Sequence, residues 1–163
     1  MKNLSRQLLS LVLPTTALII VPYFIESSLN LTLDLLFLMG LAFGLAGLTI
    51  LSITVAMLIR RGKGTLAPWA PTSTLVISGV YSYVRNPMIT GVMTVLLGEA
   101  LIFHSTRILI WLILFFIINS VYFMLSEEPG LEKRFGNDYT EYKRNVPRWI
   151  PRTTPWKPAE KNS

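Results

Sequence analysis

Cysteine is absent from these 163 residues and histidine occurs once. Disulfides, thiolate nucleophiles and cysteine metal sites are excluded outright, and a single histidine leaves no His-rich metal centre. Charge is scarce as well, at 15% of residues against 52% hydrophobic ones, and the mean hydropathy is +0.51. That balance is too apolar for a water-soluble globule, so the bilayer is the expected solvent. No internal repeat or low-complexity tract is present, and no separate basic domain presents the net charge of +6 to a nucleic acid.

What the chain does have is apolar runs. A hydrocarbon core of about 30 Å requires roughly 20 apolar residues in helix. Four runs approach that length, over residues 8–25, 35–59, 88–104 and 108–125. The first follows Lys2 and Arg6 and lacks a small-x-small cleavage site after Ile25, so it reads as a retained span. The connection 26–34 holds Glu26 and Asp34 and no Lys or Arg, whereas 60–87 holds Arg60, Arg61, Lys63 and Arg85. This asymmetry places both termini and the long middle connection in the cytoplasm, and the short loops are compatible with a plasma (inner) membrane. Trp149, Trp156 and the basic tail suit an interface with anionic headgroups.

The expected fold is an all-α integral membrane protein, a bundle of about four transmembrane helices with a cytoplasmic C-terminal amphipathic helix. Residues 1–59 form a two-span hairpin, 60–152 a core and 153–163 a basic tail, all in one domain. Polar sequence is concentrated in 60–87 and 126–152. In the second block Pro129 and Gly130 are expected to end the last span. Leu131, Phe135, Tyr139, Tyr142 and Val146 then recur at three- and four-residue steps, one apolar face of a helix that either lies on the bilayer or covers the cytoplasmic ends of the spans.

Gly79, Tyr81, Arg85, Asn86, Pro87 and Gly91 lead into the third run, and Glu127 and Glu128 leave the fourth. A short connection between these runs makes them an antiparallel hairpin, so Arg85 and the two glutamates share one level. An interfacial salt bridge satisfies that observation by itself. Tyr81, Tyr83 and the GTLAPWAP segment at 64–71 would roof the same spot, making a pocket open to water and to lipid. Glu99 falls inside the third run, and a hydrogen bond to Asn119 or Ser120 of the fourth is the simplest account of it. His104 reads as interfacial. Gly40, Gly44 and Gly47 have the small-xxx-small spacing of a close helix contact, and Gly62-Lys63-Gly64 is too short for a phosphate loop.

These motifs resemble those of the isoprenylcysteine carboxyl methyltransferases and their relatives among small membrane phospholipid methyltransferases. The first block matches in Gly79, Tyr81, Arg85-Asn86-Pro87 and Gly91, and the second in Glu127-Glu128, Phe135-Gly136, Tyr139, Tyr142 and Val146-Pro147. The chain departs from many relatives at Ile89, where tyrosine is common, and at Asn86, where histidine is common in eukaryotic members. The resemblance covers roughly residues 60–152 and implies S-adenosylmethionine as cofactor, with a lipophilic acceptor.

On that reading Glu127 and Glu128 accept hydrogen bonds from the ribose diol and amino group. Asn86 meets the adenine edge or the amino-acid end, Pro87 holds the preceding residue extended, and Tyr81, Tyr139 and Tyr142 close over the cofactor. Arg85 is the catalytic candidate, orienting an acceptor carboxylate through its bidentate fork. Such an acceptor needs no base, which favours oxygen methylation of the isoprenylcysteine type. A phospholipid or lipid-amine acceptor is the alternative, and a non-enzymatic four-span scaffold or transport subunit is the other. No metal is required.

Overall fold

The computed structural model describes residues 12–26, 31–61 and 74–158. Lys2, Arg6, the Gly62-Lys63-Gly64 stretch and the GTLAPWAP segment lie outside the described residues. Among those described the architecture is helical, with no strand.

Helix α1 covers residues 12–25 and contains a π turn at Thr16–Ile20; α2 is Leu35–Arg61, α3 Pro87–Ile102 and α4 Thr106–Tyr122. A second π turn, Phe123–Glu127, joins α4 to α5, Glu128–Phe135, and α6 is Asn137–Asn145. Two helices are long and apolar enough to cross a bilayer, Leu35–Leu58 and the continuous Thr106–Phe135, and only 11% of each is buried. A core helix of a soluble protein would be buried, whereas here Leu38, Leu45, Leu48, Leu109, Ile113 and Ile117 stand exposed, as lipid-facing residues do. The segments Thr16–Ile25 and Pro87–Ile102 are apolar but shorter. At 1.5 Å per residue α3 spans about 24 Å. It is the central helix, with Val92, Val95, Leu96 and Ala100 buried in the core.

Proline explains both π turns. Pro22 and Pro129 each stand two residues beyond the turn. With no N–H to give, each proline would orphan a carbonyl of an uninterrupted α-helix. The preceding residue answers by reaching back five positions, Val21 N–H to Thr16 O and Glu128 N–H to Phe123 O. The expectation that Pro129 and Gly130 end the last span is therefore corrected: the wider turn absorbs the proline and the helix runs on to Phe135. The break comes at Gly136, whose φ of +55° only glycine adopts readily. It divides the expected amphipathic helix into α5 and α6. The apolar stripe survives the bend, with Tyr139, Tyr142 and Val146 buried against Leu131, Phe135, Leu75 and Ile77.

The tightest contact is between α2 and α3, and it runs through four glycines. A Cβ on Gly98 would lie 2.7 Å from both Gly40 O and Gly44 N, and one on Gly47 would lie 2.7 Å from Val95 N. Gly44 differs, because its own Cβ position points into open space. Gly98→Ala should therefore force the helices apart and destabilise the protein by about 1–3 kcal/mol, while Gly44→Ala should be neutral or stabilising by up to about 1 kcal/mol. Equilibrium unfolding in mixed micelles checks the contrast.

The end of the bundle opposite Arg85 is held by polar ties. His104 Nε2 lies 2.8 Å from Asp34 Oδ2, Ser105 Oγ donates to Glu26, and Arg107 Nη1 is 3.5 Å from Glu26 Oε1. Glu99 makes no bond to Asn119, in contrast to the sequence expectation. Glu99 Oε2 is buried without a partner, and Asn119 Nδ2 donates to Phe115 O of its own helix. The turn at 103–105 explains this: Glu99 lies near the turn and Asn119 near the far end of α4, so an antiparallel hairpin sets them at different depths.

Candidate active site

The residues after Asn145 return to the loop before α3 and bond it through the main chain. Arg85 N–H donates to Pro147 O, Arg152 N–H to Tyr83 O and Trp156 N–H to Ser82 O, each at 2.9 Å. The two tryptophans expected at the headgroups belong to this seam. Trp149 packs on Phe116 and Phe123 with centroids 5.5 and 5.7 Å away, and Trp156 packs on Tyr142 at 5.9 Å.

Behind the seam is a cavity of about 630 Å³. Its mouth is polar, with Tyr81, Arg85, Asn86, Glu127, Tyr139 and Tyr142 in the wall, and its depth is apolar, between Ala17, Val21, Val92, Phe115 and Ile118. Six of the eight residues named from sequence are thus brought to one space. Tyr83 is not in the wall, and Pro87 is a buried first residue of α3 that fixes where the helix starts. Asn86, just before it, makes no capping bond with its side chain; its backbone carbonyl accepts from Thr90 N–H and Oγ1.

Glu128 is the other exception, and its neighbours explain why. Its carboxylate is 4% exposed and gathers three cations: Arg85 Nη1 at 2.9 Å, Arg148 Nε at 2.6 Å and Lys143 Nζ at 3.2 Å. Neighbouring residues on a helix point about 100° apart, so Glu127 and Glu128 cannot face one ligand side by side. Glu127 lines the cavity with Tyr122, Ser126 and Arg134, while Glu128 lies outside its wall. Sequence reasoning missed Arg148 and Lys143, because basic residues after a span look like topology. It also missed Arg134, Ser126 and the deep wall, whose only sequence signal is a helical periodicity shared by any packed face.

Electrostatics at the mouth follow from burial. Arg85 is 9% exposed; with Nη1 committed to Glu128, its Nε is buried without a hydrogen-bond partner. Burial raises the Tyr81 phenol well above its ordinary range, helped by the negative charge of Glu127. Tyr142 is raised by burial and by Tyr81, and Tyr139 by burial and then by the charge of Glu128. All three phenols therefore stay protonated at physiological pH and serve as donors rather than bases. Tyr142 has already spent its proton on Tyr81 O, 2.7 Å away. It is a strut of the pocket as well as part of its wall.

A donor set of this kind fits S-adenosylmethionine. Glu127 accepts, Asn86 offers both an acceptor and donors, the buried Arg85 Nε is an unused donor, and the aromatic rings supply the apolar faces that an adenine and a methyl sulfonium need. No group of three or more metal-ligating side chains occurs among the described residues.

The family model described as phospholipid methyltransferase matches residues 34–138. Neither the curated proteins nor the solved structures give a match.

Proposed function

Because the chain belongs to the phospholipid methyltransferase family, we propose that it is a membrane methyltransferase that uses S-adenosylmethionine to methylate an oxygen on a lipophilic acceptor, nearest in kind to an isoprenylcysteine carboxylate. The observation that carries this reading is the buried, unpartnered Arg85 Nε at the mouth of a cavity whose other end is apolar. The topology proposed with it has four membrane-embedded helices, with the short α1 and α3 completing the bundle formed by α2 and α4 and with the seam in the cytoplasm. The positive-inside asymmetry supports that orientation.

When bound, S-adenosylmethionine would supply an electrophilic methyl group on a sulfonium whose neutral thioether is the leaving group. Glu127, Asn86 and the protonated Tyr139 hold the cofactor at the mouth. Glu128 holds Arg85, and Arg85 Nε orients the acceptor anion. The acceptor's tail lies in the apolar depth, and α5, α6 and the returning seam exclude water, so alignment in a dry site accounts for most of the acceleration. A carboxylate arrives deprotonated and requires no base. The second reading, an amine acceptor, is favoured by the family's description and by Glu127, which faces the cavity as a carboxylate able to accept a proton.

The test is calorimetric binding of S-adenosylhomocysteine, followed by transfer of labelled methyl from S-adenosylmethionine into lipid acceptors. Base-labile label marks an ester and base-stable label a methylamine. No binding by folded protein across several lipids and detergents would leave the scaffold reading. Arg85→Lys keeps a cation opposite Glu128 and removes the Nε donor. It should lower kcat/KM by about 10- to 100-fold, the worth of one hydrogen bond to a charged group, while S-adenosylhomocysteine binds as before. Equal loss of binding and turnover would remove Arg85 from the acceptor's side of the site.

A further inference from the structure

The wall of the cavity along α4 is a stripe of Tyr122, Asn119, Ile118, Phe115 and Trp111. Tyr122 and Trp111 are eleven residues apart, so the stripe runs about 16 Å from the mouth. Trp111 is its last member. The same indole also lines a second, more open space of about 390 Å³, together with Ile25, Arg107, Ile110 and Leu114. Among the described residues Trp111 is the one that lines both the apolar depth of the site and a groove at the opposite end of the bundle.

That side chain is held in place by the first π turn. Val21 N–H bonds Thr16 O, and Pro22 has no N–H, which leaves Ala17 O without a helical donor. Trp111 Nε1 donates to it at 3.0 Å. The carbonyl thus pins the indole across the gap between α1 and α4, over a buried alanine that contributes little bulk of its own. The ring also packs on Phe115, with centroids 5.9 Å apart. If the indole swung away, Ala17 O would again be unsatisfied inside an apolar bundle.

We propose that Trp111 is the floor of the lipid cavity and sets the longest acceptor tail the protein accepts, with Ala17 setting the room left above it. The proposal rests on the lipid-acceptor reading above and makes Trp111 a specificity-determining residue with no part in the chemistry. Removing the indole joins the two spaces into one long channel. Enlarging Ala17 shortens the cavity from the opposite wall.

The test is native mass spectrometry of the full-length protein after incubation with an equimolar series of single-chain lysophosphatidylethanolamines differing by two carbons. Trp111→Ala should move the bound population toward longer chains and Ala17→Leu toward shorter ones. Each should change the ratio of longest to shortest bound chain by about tenfold, the discrimination that a methylene or two commands in an apolar pocket. Trp111→Phe keeps much of the bulk without the N–H and covers the case in which the alanine variant fails to fold; it should broaden the distribution toward longer chains. Unchanged distributions in folded variants, shifts of Trp111→Ala and Ala17→Leu in the same direction, or no chain retained by the wild-type protein would each overturn the proposal. Methyl transfer to the same lipids is measured in parallel. Its absence with the chain distributions shifted would remove the amine-acceptor reading, absence of S-adenosylhomocysteine binding as well would remove the enzymatic reading, and both would leave the floor standing, whereas intact transfer with unshifted distributions would remove the floor alone.

Discussion

Replacing Glu128 by alanine should destabilise the protein by about 3–5 kcal/mol, the cost of leaving buried charge without its partner. Arg85, Lys143 and Arg148 converge on this one carboxylate, and Arg85 is almost as buried as Glu128 itself. The three cations come from the loop before α3, from α6 and from the returning seam, so the carboxylate is the point at which the elements at this end of the bundle are joined. Without it they repel one another in a site of low dielectric. Glu128→Gln should fall most of the way with it, since the amide keeps the shape but not the charge. The internal control is Glu132, which pairs with Lys143 at 2.8 Å with both side chains about 40% exposed. Glu132→Ala should cost no more than about 1 kcal/mol. Unfolding in mixed micelles measures all three variants, and a Glu128→Ala protein as stable as Glu132→Ala would show that the cluster is not a structural clamp.

Glu127→Gln should do the reverse. The side chain faces the cavity and contributes nothing to the clamp, so the unliganded protein should melt where the wild type does. Affinity for S-adenosylhomocysteine should drop about 10- to 100-fold, corresponding to one or more hydrogen bonds to a charged acceptor. The amide is a fair probe because it is isosteric and still able to accept one bond. Calorimetry beside a melting curve separates the two glutamates: a lost binding signal at unchanged stability assigns Glu127 to the ligand. Unaltered affinity would take Glu127 off the cofactor and leave Asn86 and the tyrosines to hold it.

Treating the two acids as a pair was natural from sequence, where adjacency is all that can be seen. Adjacent residues on a helix diverge by about 100°, and which of them faces inward depends on the rotation of the helix. Here the π turn before Pro129 is part of that rotation. Asn86 was legible as a cavity residue through the Arg-Asn-Pro motif alone; its backbone, at φ −122° and ψ +59°, is not the extended one expected before Pro87. Tyr142 was legible as buried but not as the donor to Tyr81 O, a bond between residues 61 positions apart.

The chain by itself determined that the protein is helical and apolar, where α2, α3 and α4 start, and that Arg85 and the glutamate pair share one end of the bundle. These properties follow from uncharged runs, prolines, a helical stripe and a short turn, all of them local in sequence. Only the tertiary structure decided that Glu128 braces while Glu127 faces the cavity, that a Cβ has no room at Gly40, Gly47 and Gly98 but has it at Gly44, that Glu99 and Asn119 stand apart, and that Trp111 lines two spaces. Each of these depends on how one helix is rotated and shifted against another far away in the chain. Apolar helices hold that rotation and shift by close packing and a few buried hydrogen bonds, which leave little trace in residue order.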